Sequence, residues 1–244
     1  MSKKEQQWDE KAKNYSRYNP DDSRFEAKLL DKMTKKGIDF SAKTIIDVGC
    51  GTGVYTLRLA KEAKSVDALD FSLSMLEVLE HDAKELGLEN IFTCKTSWSD
   101  YESQKNYDIA FSTMSPALDN DEEYQKFHAI AKTKIYLGWA GVRDSDVLGA
   151  LFDAHGKKNS APNGAAKLKA WLQKNHISYT AEEIEELKIS TCSCADAPSK
   201  YRWHLEMREI EVDEKILKEI LEKFCKDDIV TERTLNKMNL IIWN

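Results

Sequence analysis

The sequence predicts an α/β fold: a parallel sheet covered on both faces by helices. Three observations predict it. Between residues 43 and 139, short apolar runs of strand length alternate with amphipathic stretches of helix length. A glycine-rich turn at residues 49–53 joins the first of those strands to a helix. The chain has 244 residues, 41% hydrophobic and 32% charged, enough to bury one sizeable core.

Residues 5–20 carry Trp8, Tyr15 and Tyr18 among charges. Residues 24–35 read as an amphipathic helix, with Phe25, Leu29, Leu30 and Met33 at helical spacing. Residues 43–48, centred on Thr-Ile-Ile-Asp-Val, form a buried-type strand; 49–53 is a turn and 54–63 a helix. A second strand spans 65–69. The helix at 72–86 starts on Ser72, a good N-cap, and turns Met75, Leu76, Val78, Leu79, Ala83 and Leu86 to one side. Residues 90–95 and 107–112 are the third and fourth strands, 121–132 a helix, and 134–139 the fifth strand. The crossovers are expected to be right-handed.

After Gly141 the rhythm changes. Residues 144–155 and 165–176 read as helices, and 176–187 and 189–194 as strands. Residues 212–225 form a helix with Ile216, Leu217, Ile220, Leu221 and Phe224 on one stripe. Residues 233–243 read as a final strand. With 4 Pro and 10 Gly in the whole chain there is no strong linker, and 156–164 is the best loop.

The formal net charge is -6, and Lys and Glu interleave along the helix at 213–226. That pattern belongs to solvated helix faces rather than to a surface gripping a phosphate backbone, so no nucleic-acid partner is expected. The longest apolar runs, 44–48 and 240–243, are far too short for a membrane span. The first residues are polar and lack the apolar core of a signal peptide, which predicts a cytoplasmic protein. Five cysteines, Cys50, Cys94, Cys192, Cys194 and Cys225, form an odd set that argues against a disulfide framework. Cys192 and Cys194 make half a tetrahedral metal site, and no His or Cys pair follows at finger spacing. No metal is expected.

The sharpest feature is Ile46-Asp47-Val48-Gly49-Cys50-Gly51-Thr52-Gly53, after a strand and before a helix. Glycine lets the backbone turn tightly and approach a ligand, and a helix start offers free N–H groups. The spacing is G-x-G-x-G, not the G-x-G-x-x-G of dinucleotide sites, and Asp47 would repel a pyrophosphate. The segment resembles motif I of class I S-adenosylmethionine-dependent methyltransferases, over about residues 40–140. The resemblance implies a Rossmann-like, seven-stranded, mostly parallel, doubly wound sheet with an antiparallel last strand. It also implies N-terminal cap helices over residues 1–40 and a cofactor-binding domain over 41–244, with inserted helices at about 144–176.

S-adenosylmethionine is then the expected cofactor and a small molecule the expected methyl acceptor. The loop Gly49, Cys50, Gly51 and Gly53 would cradle the methionine part, with Asp47 near its amino group. In Val66-Asp67-Ala68-Leu69-Asp70, it is Asp70 that would hold the ribose hydroxyls, because Ser72-x-x-Met75-Leu76 follows in register. Phe71 and Met75 are candidates to flank the adenine, and core packing is their alternative. Where many relatives carry an acidic residue after the third strand, this chain has Ser97, whose hydroxyl could meet the adenine, followed by Trp98.

The fourth strand runs into Ser112-Thr113-Met114-Ser115-Pro116-Ala117-Leu118 at the position next to the transferable methyl. It lacks the Asn or Asp, second Pro and aromatic residue of the nucleobase and glutamine methylases. Ser112 is assigned to the cofactor and Met114 to the substrate. Arg143, in Gly-Trp-Ala-Gly-Val-Arg, could anchor an anionic substrate or pair with Asp144 or Asp146. Trp8-Asp9-x-x-Ala12-x-x-Tyr15 resembles the cap helix of small-molecule members, which makes Tyr15 and Tyr18 lid candidates. An amphipathic helix packed on the sheet is the alternative. His128, His155, His176 and His204 are general-base candidates by type only, and no catalytic residue is assigned. A non-catalytic cofactor-binding sensor or assembly module and a nucleotide-cofactor oxidoreductase are the competing functions.

Overall fold

A strand that is apolar on both faces needs neighbours on both sides and helices above and below. In the computed structural model, which describes residues 3–103, 105–141, 144–158 and 164–244, β1 (Thr44–Val48) has both. It pairs in parallel with β2 (Ser65–Asp70) on one side and β4 (Tyr107–Thr113) on the other. β3 (Ile91–Lys95) continues the sheet beyond β2, and β5 (Ala131–Trp139) beyond β4, again in parallel. The order β3-β2-β1-β4-β5 reverses between β1 and β4. Ligands of such sheets sit at this switch point, outside the carboxyl ends of the strands.

The helices follow from capping and periodicity. α1 (Lys3–Ala12) and α2 (Phe25–Lys35) precede the sheet, α2 burying Leu29 and Met33. α3 (Thr56–Leu59) is a single turn. α4 (Leu73–Glu85) is capped by Ser72, whose Oγ accepts from Met75 N at 3.3 Å, and buries Met75, Leu76, Leu79 and Ala83. α5 (Asp121–Ala129) is capped by Asn120 accepting from Glu123 N at 3.0 Å.

The chain divides into two compact units. The first comprises Met1–Gly138, Gly164–Glu182 and Leu240–Asn244; the second comprises Trp139–Asn163 and Glu183–Asn239. β7 (Tyr179–Ser193) and β9 (Ile229–Trp243) each run from one into the other. The core of the first unit joins Ile46, Val48, Leu69, Phe127, Trp171 and Trp243, with α7 (Gly164–Lys174) supplying Trp171. In the second unit, β6 (Asp144–Ser145) pairs antiparallel with β9. α6 (Asp146–Ala154), α8 (Ala197–Glu206) and α9 (Glu214–Phe224) pack around Leu151, Phe152, Tyr201, Leu217 and Val230. β8 (Cys225–Lys226) turns back onto β9 through Asp227 and Asp228, both at positive φ as a two-residue hairpin turn requires. Buried Glu232 is satisfied by Ser145 Oγ at 2.6 Å and Lys200 Nζ at 2.9 Å.

The expected parallel sheet with antiparallel pairing near the C-terminus is present, and two-residue β6 and β8 bring the strands among the described residues to nine. Several local expectations need correction. The helix expected over 54–63 keeps only α3: consecutive four-residue bonds run from Leu59 N to Tyr55 O and from Ala60 N to Thr56 O, and the chain then tightens into the three-residue bonds Lys61 N to Arg58 O and Glu62 N to Leu59 O. The fifth strand begins at Ala131, taking residues 131–132 from the expected preceding helix. The two strands expected at 176–187 and 189–194 are one, and α8 was not anticipated. Cys194 and Cys225 are joined by a disulfide, against the expectation from an odd cysteine count. A count cannot see that the end of β7 and the start of β8 meet, with Cα atoms 5.9 Å apart.

Candidate functional site

The glycine loop leaves β1 with Gly49, Gly51 and Gly53 all at positive φ, +74°, +54° and +77°. Only glycine adopts that backbone cheaply. Their surroundings differ. A Cβ on Gly49 would lie 1.9 Å from Ser115 Oγ, so the loop after β4 presses against it. A Cβ on Gly53 would lie 2.2 Å from Leu79 Cδ1 of α4. A Cβ on Gly51 would meet nothing nearer than Tyr15 Cε1 at 3.9 Å. Gly51→Ala is therefore expected to cost about 1–2 kcal/mol of backbone strain. Gly53→Ala should cost about 1–3 kcal/mol more from overpacking. Equal losses in denaturant unfolding would overturn this distinction.

The loop is held by its neighbours. Gly49 N and Cys50 N both donate to Leu69 O, at 2.8 and 3.0 Å. Gly51 N donates to Asp70 Oδ2 at 2.9 Å, and Ser72 N donates to Asp70 Oδ1 at 2.9 Å. Asp70 thus ties the loop to the start of α4. Asp47 is buried and its Oδ2 accepts from Thr56 Oγ1 at 2.6 Å. Burial raises the Asp47 carboxyl to about 7, against the Thr56 hydrogen bond and with help from the Asp70 charge. Burial also raises Asp70, against the N–H groups of Ser72, Gly51 and Phe71. Among the described residues neither carboxylate has a Lys or Arg partner.

The N-terminal segment lies on this frame. Asp9 Oδ1 accepts from Ser72 Oγ at 2.5 Å and from Ser74 N at 3.2 Å. Thr52 Oγ1 donates to Ser16 O at 2.5 Å, and Glu5 pairs with Lys95 at 2.7 Å. Tyr15 is the aromatic residue beside the loop, edge-on to Trp8 at 6.0 Å. Tyr18 packs on the cluster of Leu57, Leu76 and Leu79, with the Arg58 guanidinium 5.4 Å from its ring. Asp9 and Thr56 were missed in the sequence. An Asp beside a cap-helix Trp, and a Thr nine residues after Asp47, were the available signals.

A cleft of about 440 Å³ opens past Phe71, lined also by Ser97, Trp98, Asp100, Pro116 and Ala117. That volume falls in the range of small-molecule sites. Phe71, Ser97 and Trp98 are thus brought together, though Trp98 is mostly core. Its ring stacks near Tyr101 at 5.9 Å, and its Nε1 donates to Glu123 O at 3.2 Å. Ser97 Oγ donates to Asp100 Oδ2 at 2.6 Å. Met75 is 1% exposed and does not line the cleft. Cys50 packs half-buried on the Leu76 and Leu79 side. Ser112 is buried at the end of β4, its Oγ donating to Val48 O at 2.9 Å, and so joins the two central strand ends. Met114 follows at φ +52°, its N donating to Leu137 O at 2.7 Å. Arg143 lies outside the described residues. None of the histidine candidates lines the cleft. His128 Nδ1 accepts from Trp243 Nε1 at 3.1 Å, and His155 Nε2 accepts from Asp213 N at 3.2 Å.

A family model described as a methyltransferase domain matches residues 39–224. An uncharacterized protein of Haemophilus influenzae is 29% identical over 117 residues, covering 47% of this chain and 42% of that protein. A ubiquinone biosynthesis O-methyltransferase of Rickettsia felis is 29% identical over 99 residues, covering 41% and 39%. The match thus spans less than half of either curated relative. Among solved structures, the YcgJ protein of Bacillus subtilis superposes with a TM-score of 0.56 at 15% identity, covering 87% of this chain and 96% of that one. That likeness is one of fold.

Proposed function

The chain belongs to the methyltransferase domain family, and from that premise we propose that it takes S-adenosylmethionine as its cofactor and transfers the cofactor's methyl group to a small-molecule acceptor. The observation that carries this reading is the buried carboxylate Asp47, with the half-buried Asp70 acting on it and no protein cation on either among the described residues. Buried acids normally find a cationic partner. S-adenosylmethionine brings an ammonium and a sulfonium, which makes it a fitting partner, whereas a pyrophosphate would be repelled. The left-handed glycines keep side chains out of the loop, and the neighbouring cleft has an aromatic wall in Phe71. The residues fit the cofactor.

When bound, the cofactor supplies an electrophilic methyl group. The protein's part is then positioning and exclusion of water. In this reading the loop from Gly49 to Gly53 holds the methionine part, with Asp47 near its amino group, and Asp70 meets the ribose hydroxyls. Phe71 and Ser97 border the adenine, and the N-terminal segment with Tyr15 covers the loop. Met114, beside the ends of β4 and β5, faces the acceptor side, and Arg143 is kept as a proposed substrate anchor. The formal charge of -6 supports a small molecule over nucleic acid, and the name of the Rickettsia relative supports a metabolite acceptor. Among the described residues no helix is long and apolar enough to cross a membrane; the proposed setting is the cytoplasm.

Calorimetry with S-adenosylmethionine, S-adenosylhomocysteine and NADH tests the cofactor, and a labelled-methyl screen against metabolites tests transfer. Tight NADH binding without S-adenosylhomocysteine binding would overturn the reading. Binding without transfer to any acceptor would favour a sensor or assembly module, a second reading supported by Ser97 standing where an acidic residue is usual.

A further inference from the structure

Folding supplies what the Cys192-Ser193-Cys194 stretch lacks. β7 and β9 run in opposite directions in the second unit: Glu186 meets Asn236 at 3.0 Å, Ser190 meets Glu232 at 3.3 Å, and Cys194 N donates to Asp228 O at 3.0 Å. The β8–β9 hairpin then brings Cys225 and the turn residue Asp228 to the end of β7. Among the described residues, Cys194 Sγ, Cys225 Sγ and an Asp228 carboxylate oxygen all lie within 4.8 Å of one another. We propose that these three residues form a binding site for a soft divalent cation of the Zn²⁺ type, available when the Cys194–Cys225 disulfide is reduced.

The donor chemistry points this way. Two thiolates and one carboxylate are three of the four ligands of a tetrahedral zinc-type site, with water in the fourth position. Thiolate donors select Zn²⁺ over the hard cations Mg²⁺ and Ca²⁺. Both sulfurs are half-buried against the cluster that holds Ile220 and Phe224, while Asp228 is exposed. The site is therefore apolar behind and open in front. Asp228 is exposed at the hairpin turn, so its carboxylate is open to an incoming cation. Cys192 also packs on the cluster, but its sulfur is outside the converging group.

The steps balance. Two equivalents of a low-molecular-weight thiol reduce the disulfide, giving two cysteine thiols and one small disulfide. Binding of the cation then releases the two thiol protons and forms two sulfur–metal bonds and one oxygen–metal bond. An oxidising compartment holds the cross-link and a reducing one exposes the site. In both states the end of β7 is fastened to the end of α9.

The test uses the full chain, reduced with a phosphine and titrated with Cd²⁺ while the thiolate-to-metal charge-transfer absorption is followed. The expected result is a band that saturates at a single ion per chain and is absent from the oxidised protein. Cys194→Ser should abolish it, and Cys192→Ser should leave it unchanged. Asp228→Asn, an exposed substitution that spares the core, should weaken Cd²⁺ binding by about 10- to 100-fold. Absence of the band from the reduced protein would overturn the proposal. So would a band that Asp228→Asn leaves unaltered or that Cys192→Ser removes.

Discussion

Replacing Asp70 by alanine is expected to weaken S-adenosylhomocysteine binding by about 1–3 kcal/mol, the range for losing a charged hydrogen-bond partner. It should also destabilise the protein without any ligand. Asp70 accepts from Gly51 N and from Ser72 N, so truncation leaves two backbone donors without their partner, one in the loop and one at the start of α4. Each costs about 1–3 kcal/mol if water cannot replace the carboxylate. Asp70→Asn separates charge from shape. The amide keeps one oxygen but turns an NH₂ group toward either Gly51 N–H or Ser72 N–H, so one of those contacts becomes donor against donor. The asparagine variant should therefore lose affinity as well. Isothermal calorimetry and denaturant unfolding of both variants measure the two effects. Unchanged affinity in Asp70→Ala would remove Asp70 from the proposed ribose contact, even if stability fell.

Asp70 was legible in the sequence because everything that fixes it is local. The strand β2, the N-cap Ser72 and the apolar stripe of α4 lie within about twenty residues, and each follows from spacing and capping. The loop glycines were legible for the same reason, although only the fold separates their duties: Gly53 meets Leu79, Gly49 meets Ser115, and Gly51 meets almost nothing. What remained hidden is non-local. Nothing near Trp98 tells that Phe127, twenty-nine residues on, will meet its ring edge-on. Tyr18 reads like Tyr15 in sequence, yet it docks on the cluster of Leu57 and Leu79, while Tyr15 is the residue nearest Gly51. α8 carries a weak apolar pattern and Pro198 in its first turn, so its packing through Tyr201 and Leu205, not its periodicity, defines it. The disulfide joins residues 31 apart, a distance that no spacing rule of a finger-type site anticipates.

Asp47 leads to the second large effect, a pH dependence that couples stability to cofactor binding. Burial raises its carboxyl from an ordinary 3.8 to about 7 in the folded chain. A carboxyl raised on folding stabilises the protein fully below its unfolded value, and that contribution is lost as pH rises to the folded value. Stability should therefore fall between about pH 4 and pH 7 and level off above, with roughly 1.4 kcal/mol per unit as the upper slope for this one group. Asp47→Asn keeps an oxygen for the Thr56 Oγ1 hydrogen bond and removes the ionisation. It should flatten that part of the profile and make the variant the more stable protein at pH 8. A cationic ligand group placed beside Asp47 reverses the preference, because it favours the ionised form. Binding of S-adenosylhomocysteine, through its ammonium, should then release a proton below pH 7 and tighten toward pH 8, by up to about tenfold per unit on the acid side. Calorimetry in buffers of different ionisation enthalpy counts that proton directly. In Asp47→Asn the proton release should vanish and the affinity should fall at pH 8 more than at pH 6. Equal affinity loss at both values would mean that the carboxylate shapes the loop through Thr56 alone and does not meet the ligand's charge.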